Sequence, residues 1–310
     1  MVDHNYYFSS KQYKRRGYRH KVPLLLISLA LILVLLLLYY RFFFNNANII
    51  LAHYAQVIDG FEAKGLVIRE ERVRYSPYSG YIVLRKKEGE RVDYGNEVIR
   101  IDDQHLYNYR PGLISYSSDG LEEVLRPDRL AEMTIKDFRQ ARRDFNQLVN
   151  GNYLKKGQAA FRIIDNNQMY VVIKTEAIEV ERYRINETVF FQSDQYDYGL
   201  IDGRVAHKIV SGEQGLIIVA LNLFVKEWLN LRWLDLKFIK NIYRGIVIPR
   251  KAIFTQPEGE GVLIYQPDGT YSFREIRIVN GNADEVVVNG VEVGESVIEN
   301  PAAVNFGREG

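Results

Sequence analysis

The sequence predicts a mainly β protein behind a single N-terminal transmembrane helix, and three observations carry that prediction. Val22 to Tyr40 reads VPLLLISLALILVLLLLYY without one charged residue. From Gly65 onward the chain consists of short runs such as GYIVLRKK, NEVIRI and MYVVIKTE, in which apolar and polar residues alternate. That period of two marks strands with one buried face. Glycines punctuate the runs at Gly80, Gly89, Gly95, Gly112, Gly120, Gly151 and Gly157, which points to tight turns at positive φ.

The N-terminal run sets topology. A helix needs about 20 apolar residues to cross ~30 Å of hydrocarbon, and a soluble core helix has no reason to be apolar on every face at that length. Tyr39, Tyr40, Phe42, Phe43 and Phe44 cluster at its far end, with Arg41 able to snorkel there. Lys11, Lys14, Arg15, Arg16, Arg19 and Lys21 precede it, opposed only by Asp3. Cytoplasmic flanks carry the Lys/Arg excess, so residues 1–21 form a basic cytoplasmic tail and 22–44 the span, with the body beyond Asn45 outside the membrane. A cleaved signal would end at small residues, whereas RFFFNNANIILAHYA follows here. The anchor is therefore read as retained, and the protein as a single-pass cell-membrane protein.

Composition narrows the chemistry. The 310 residues contain 41 basic and 39 acidic side chains, a balance that gives no concentrated basic surface for nucleic acid. Cysteine is absent, which excludes disulfides, thiolate metal sites and cysteine nucleophiles. His4, His20, His53, His105 and His207 are scattered without metal-ligand spacing. The acid pairs Glu70-Glu71, Asp102-Asp103 and Glu122-Glu123 read as solvated edges, because neighbours on a strand face opposite ways. No G-x-S-x-G, S-x-x-K, P-loop or dinucleotide motif occurs. Catalytic, metal and cofactor sites are all expected to be lacking, so the protein is read as no enzyme.

One segment breaks the strand pattern. Leu121 to Val149 is charged and poor in β-branched residues, with a helix start at Thr134 and Asp137 and a stripe of Ile135, Phe138, Phe145 and Leu148. Farther on, WLNLRWLDLKFIK alternates through Leu229, Leu231 and Trp233 and then shifts to Leu234, Leu236 and Phe238. The shift predicts a bulge or bend near Trp233 and Leu234, with an amphipathic helix over 224–234 as the rival reading. Pro267-Asp268-Gly269 signals a hairpin.

The order of these pieces resembles a family. Pro77-x-x-Gly80-x-Ile82 leads through Glu88-Gly89-x-x-Val92-x-x-Gly95 to Val98-x-x-Ile101, the pattern of half a biotinyl/lipoyl-like hammerhead. Pro111-Gly112-Leu113-Ile114 and Lys156-Gly157-Gln158-x-x-Phe161-x-Ile163 echo it after the insertion. Val247-Ile248-Pro249-x-x-Ala252-Ile253, Gly261-Val262-x-Ile264-Tyr265, Arg274-x-Ile276-x-Ile278 and Gly290-Val291-x-x-Gly294-Glu295-x-Val297-Ile298 follow. Together they resemble the HlyD-type membrane fusion, or periplasmic adaptor, family.

The resemblance implies a linker over 45–64 and a lipoyl-like domain over 65–170, with halves at 65–118 and 151–170 and a helical insertion at 121–149. A β-barrel-like domain over 171–246 and a membrane-proximal-like β domain over 247–310 complete it. Gly80, Gly89, Gly95, Gly112 and Gly157 would be the structural turns of the two halves. The insertion is too short for the family's long α-hairpin, at roughly 40 Å even as one straight helix, which resembles the short forms of Gram-positive bacteria. By its position it would be the partner-binding tip, through Arg126, Arg129, Arg139, Arg142 and Arg143. The hairpin tip reads Ile101-Asp102-Asp103-Gln104; without a lysine there, a carrier of lipoate or biotin is not expected. The implied function is an extracytoplasmic adaptor that assembles as a homo-oligomer on an inner-membrane ABC or RND transporter and supports export. The alternative is an envelope or cell-division scaffold that uses the same fold as a binding module.

Overall fold

A computed structural model describes residues 21–44, 47–141, 145–193, 199–257 and 259–304. The N-terminal helix α1 runs Lys21–Phe44. Its side chains are described over 26–39 and are all exposed, a stretch of about 21 Å at 1.5 Å per residue. Among the described residues no helix is long and apolar enough to cross a membrane. The basic tail ahead of Lys21 lies outside the described residues.

Beyond α1 the chain is mainly β and divides into two compact units. The larger comprises Gln56–Gly245 with Asn280–Asn282, and the smaller Met1–Ala55, Ile246–Val279 and Ala283–Gly310. The chain passes between them inside two long strands, β1 (His53–Tyr75) and β11 (Trp233–Pro249).

In the larger unit, β1 is followed by β2 (Gly80–Leu84), β3 (Glu97–Ile101), β4 (Gln104–Tyr107) and β5 (Gly112–Ser115). After the insertion come β6 (Tyr153–Leu154) and the long β7 (Ala159–Glu176), then β8 (Thr188–Gln192), β9 (Ile201–Ser211) and β10 (Gln214–Leu221). One sheet has the order β6-β2-β3-β4. It packs Ile82, Val98, Ile99, Ile101 and Leu106 against Ile114, Phe161 and Ile163 from β5 and β7. Strands from before and after the insertion thus close one sandwich. Backbone bonds from Ser76 N to Gln158 O (2.8 Å) and from Gly157 N to Ser76 O (2.7 Å) stitch the halves together.

β1 and β7 continue out of this sandwich into a second core. Val67, Val171 and Ile173 there meet Val189, Phe191, Val205, Ile217, Val219, Trp228, Leu236 and Phe238. The 65–69 stretch of β1 is buried on both faces, because the insertion covers the face opposite this core. Leu125, Leu130, Met133 and Phe138 of the insertion pack on Leu66, Ile68, Val172, Leu216 and Ile218. A period-two reading cannot anticipate a strand sandwiched in this way.

Several expectations are corrected. The supposed linker at 45–64 contains the strand Ile49–Leu51 and the first half of β1. The boundary expected between 170 and 171 falls within β7. The insertion holds a 3-10 turn, Pro127–Glu132, and a short helix α2, Ile135–Gln140. Thr134 and Asp137 cap α2 reciprocally in a capping box, as the sequence predicts. The helix stops at Gln140, so Phe145 and Leu148 do not extend its stripe. Nor is the insertion a free-standing tip, since its apolar side chains belong to the core. Leu229 and Leu231 are not in a strand: Lys226–Trp228 forms a 3-10 turn and β11 begins at Trp233, so neither the predicted bulge nor a long helix occurs.

Gly89, Gly95 and Gly157 sit at φ of 69°, 78° and 83°, as turn glycines should. At Gly95 a Cβ would meet nothing within 4 Å, so only the backbone opposes a side chain there. Gly95→Val is expected to cost about 1 kcal/mol or more, read as a lower urea midpoint at unchanged slope. An unchanged midpoint would remove the turn from the fold's requirements. Gly80 differs: it opens β2 without positive φ, and a Cβ would come within 2.2 Å of Asp102 Oδ2. That carboxylate accepts from Tyr81 N at 3.1 Å, so a side chain at Gly80 would displace Asp102 from this bond. Gly112 opens β5 against β7, where a Cβ would lie 2.7 Å from Ile164 O.

The smaller unit holds a sheet ordered Ile49–Leu51, Ser296–Ile298, Gly259–Tyr265 and Phe254–Gln256, with Tyr271–Glu275 also paired to Gly259–Tyr265. The hairpin signalled at Pro267-Asp268-Gly269 joins these last two strands, with Gly269 at φ 85°. Ala52, Ile248, Val262, Ile264, Val286, Val288 and Val297 form its core.

Candidate functional site

The larger unit buries an ionic cluster beneath the insertion. β1 turns Arg69 and Glu71 inward and leaves Glu70 half-exposed, as alternation along a strand requires. Arg162 stands in β7 between Phe161 and Ile163, and Arg232 lies just before β11. Asp119 lies just before the insertion and Glu122 at its start. Arg69, Arg162 and Arg232 are at most 1% exposed.

Glu71 is the hub. Its Oε1 accepts from Arg232 Nη2 at 2.7 Å. Its Oε2 accepts from Arg69 Nε at 3.3 Å and from Arg162 Nη1. Arg232 is also held by Asp119, with Nε donating to Oδ2 at 2.7 Å and Nη2 to Oδ1 at 3.0 Å. Arg162 Nη2 donates to Ser115 Oγ at 3.1 Å and to Asn230 Oδ1 at 2.9 Å. Arg69 Nη1 donates to the carbonyls of Trp228 (2.9 Å) and Leu231 (3.1 Å). Phe145, returning from the insertion, places its ring 4.8 Å from the Arg162 guanidinium carbon and 5.7 Å from that of Arg232. Among the described residues, Arg69 Nη2 and Arg162 Nε find no hydrogen-bond partner.

The electrostatics follow from this geometry. Burial alone would raise the Glu71 carboxyl, but Arg232, Arg69 and Arg162 together outweigh it and hold the group down at about 2. Burial lowers Arg69 to about 9, with Glu71 opposing, so it remains charged at neutral pH. Glu122, whose Oε1 accepts from Asp119 N at 2.9 Å, is pushed upward, chiefly by burial. Both oxygens of Glu71 and of Asp119 are engaged by fixed donors. Such an arrangement sets position: it ties β1, β7, the approach to β11 and the insertion to one point.

Of the acid pairs expected as solvated edges, Glu70-Glu71 and Glu122-Glu123 each have one member buried instead, Glu71 and Glu122. A signal was present: VIREERV, AFRII and NLRWL each set an arginine among large apolar residues. A charge flanked in that way is buried, and needs a partner. His105, read as lacking an acid, has Nδ1 2.9 Å from Glu97 Oε1 across β3 and β4, at the surface. His4 and His20 lie outside the described residues.

Of the arginines expected at a partner-binding tip, the three among the described residues line two separate depressions. Arg126 and Arg129 line one depression with Val124, Leu130 and Glu132. Arg126 is paired with Asp128 at 2.7 Å. Arg139 lines a second depression and donates to Gln214 Oε1 at 2.5 Å. Arg142 and Arg143 lie outside the described residues. The tip of the β3–β4 hairpin is Asp102-Asp103, with Asp102 at φ 47°.

Residues 71–165 match the family described as RND related, barrel-sandwich hybrid domain. Over this segment the chain is similar to barrel-sandwich hybrid domains of RND-related proteins. No curated protein matches the chain in sequence. Among solved structures, MacA from Actinobacillus actinomycetemcomitans aligns with TM-score 0.42 and 11% identity over 81% of this chain and 99% of its own. ZneB from Cupriavidus metallidurans aligns with TM-score 0.33 and 15% identity over 82% and 92%. The membrane fusion protein Spr0693 from Streptococcus pneumoniae R6 aligns with TM-score 0.33 and 10% identity over 58% and 99%. TM-scores this low carry nothing about activity or partners.

Proposed function

We propose that this chain, whose residues 71–165 match an RND-related barrel-sandwich hybrid domain, is a non-enzymatic, membrane-anchored extracytoplasmic adaptor. It docks as a homo-oligomer on an ABC- or RND-type transporter of the cell membrane and supports export. The barrel-sandwich match is the observation that carries the reading, and the hairpin tip agrees with it. A carrier needs a lysine amine at that tip, where this chain has Asp102-Asp103. The docking contacts on this reading are Arg126 and Arg129, which line a half-apolar depression on the insertion. Photocrosslinking from position 129 in cells should capture a polytopic transporter. Capture of division or wall-synthesis proteins alone would replace the adaptor by an envelope scaffold.

The anchor in this proposal is the uncharged run Val22 to Tyr40 inside the helix Lys21–Phe44, about 36 Å long at 1.5 Å per residue. The basic flank before it keeps the N-terminus in the cytoplasm. Protease added to intact protoplasts is expected to digest the β-rich body and leave a small membrane-bound N-terminal fragment. A body fully protected from protease would reverse the orientation.

A further inference from the structure

A second depression in the larger unit, separate from the ionic cluster, has a lining that fits a ligand. It measures about 400 Å³ and is lined by Lys64, Phe138, Arg139, Ala141, Lys174 and Trp233. That volume is within the range of small-molecule sites. Lys64 comes from β1, Lys174 from β7, Trp233 from the start of β11, and Phe138 and Arg139 from α2. Four elements thus converge on it, and three of its six lining residues are cationic. No carboxylate is among them.

Charge pairing sets the valence of the ligand. Lys64 Nζ is bound to Asp235 at 2.8 Å, so this cation is already matched. Arg139 gives one N–H to the neutral Gln214 side chain. Neither Arg139 nor Lys174 pairs with a carboxylate among the described residues. Two positive charges from separate elements therefore face one depression, a match for a dianion. The rest of the wall is aromatic: Phe138 meets Trp233 edge-on, with ring centroids 4.9 Å apart and planes at 84°. That contact holds the indole as a fixed apolar surface beside the charges.

We propose that this depression binds a phosphate monoester carrying a flat or apolar body, with Arg139 and Lys174 on the phosphate and Trp233 against the body. The phosphate could come from a soluble organic phosphate or from the headgroup of phosphatidic acid. The two share the recognised chemistry, and the test separates them.

The chain has two tryptophans, and Trp228 is buried in the core at 1% exposure, so a ligand-dependent emission change reports Trp233. The full chain in phosphatidylcholine nanodiscs is titrated with phenyl phosphate. The expected result is a saturable emission change, about tenfold weaker in affinity for the monoanionic phenyl sulfate and absent with neutral phenol. Arg139→Gln and Lys174→Ala should each abolish saturation while leaving the thermal midpoint unchanged. Arg139→Gln keeps a side-chain donor for Gln214, so a lost response there is not a lost fold. If nanodiscs containing phosphatidic acid already show the shifted emission and phenyl phosphate adds nothing, the lipid headgroup is the source. If they do not, the source is soluble. No saturable response to phenyl phosphate or phosphatidic acid, an equal response to phenol, or retained saturation in both variants would overturn the site.

Discussion

Glu71→Ala is expected to destabilise the chain by about 3–5 kcal/mol, since it leaves three buried guanidiniums without their shared carboxylate. Ordinary domains have only about 5–15 kcal/mol in total. The loss is read by urea denaturation of the full chain in detergent, followed through tryptophan emission, because Arg69 is bonded to the carbonyl of Trp228. A change under 1 kcal/mol would show that the cluster is incidental to the fold. The pH dependence has a defined sign. The Glu71 carboxyl lies at about 2 when folded, against an ordinary value of 4.5, so its contribution is full above the unfolded value and is lost as pH falls from 4.5 towards 2. Glu122 acts oppositely. Its carboxyl is raised above 4.5 by burial, so above that pH the folded chain retains a proton that the unfolded chain has released, and stability declines as pH rises from 4.5 through the raised folded value. Glu122→Gln should remove that decline and keep the acceptor for Asp119 N.

Replacing residues 122–150 by a short Gly/Ser linker is expected to abolish cooperative unfolding. The segment buries Leu125, Leu130, Met133 and Phe138 against Leu66, Ile68, Val172, Leu216 and Ile218. At about 1.5–3 kcal/mol for each large apolar side chain, removing four costs about 6–12 kcal/mol, comparable to the whole stability of an ordinary domain. The point variant Phe138→Ala, at about 3–5 kcal/mol, is the graded version and also frees the edge of Trp233. A deletion variant that still unfolds in one sharp transition would return the insertion to the status of a connector.

The parts of this fold that were legible in the sequence are those set by local chemistry. Gly89, Gly95 and Gly157 mark positive φ because no other residue adopts it cheaply, and Thr134 with Asp137 marks a helix start because the two cap each other's backbone. The hairpin after Tyr265 was legible for the same reason. What escaped was set by contacts distant in sequence. His53 to Lys64 read as linker because its partner strands lie a hundred or more residues away. Leu229 and Leu231 keep a strand's spacing, yet tertiary contacts set the 3-10 turn before them. Glu71 differs from Glu70 only in which face of β1 it occupies, and two of the three arginines that mark that face as buried, Arg162 and Arg232, lie about a hundred residues or more along the chain. The second depression was invisible altogether, since its lining joins residues 64, 138–141, 174 and 233.

The long pairing of β1 with β7 has a consequence for how the chain acquires its structure as it is made. Gly65 is matched to Ile173 and Arg72 to Ile163, and β1 also pairs with β11. At about 5–20 residues per second of synthesis, β1 waits roughly 5–20 s for its first partner and longer for its second. During that interval its Leu66-Val67-Ile68 segment is an unpaired, apolar strand held close to the site of emergence, the kind of segment that pairs with the wrong neighbour. Charged residues at Arg69 to Arg72 immediately follow, and they act as gatekeepers before they become the floor of a core. The same Glu71 that locks the finished molecule would thus keep its earliest strand from aggregating while the rest of the chain is still to come.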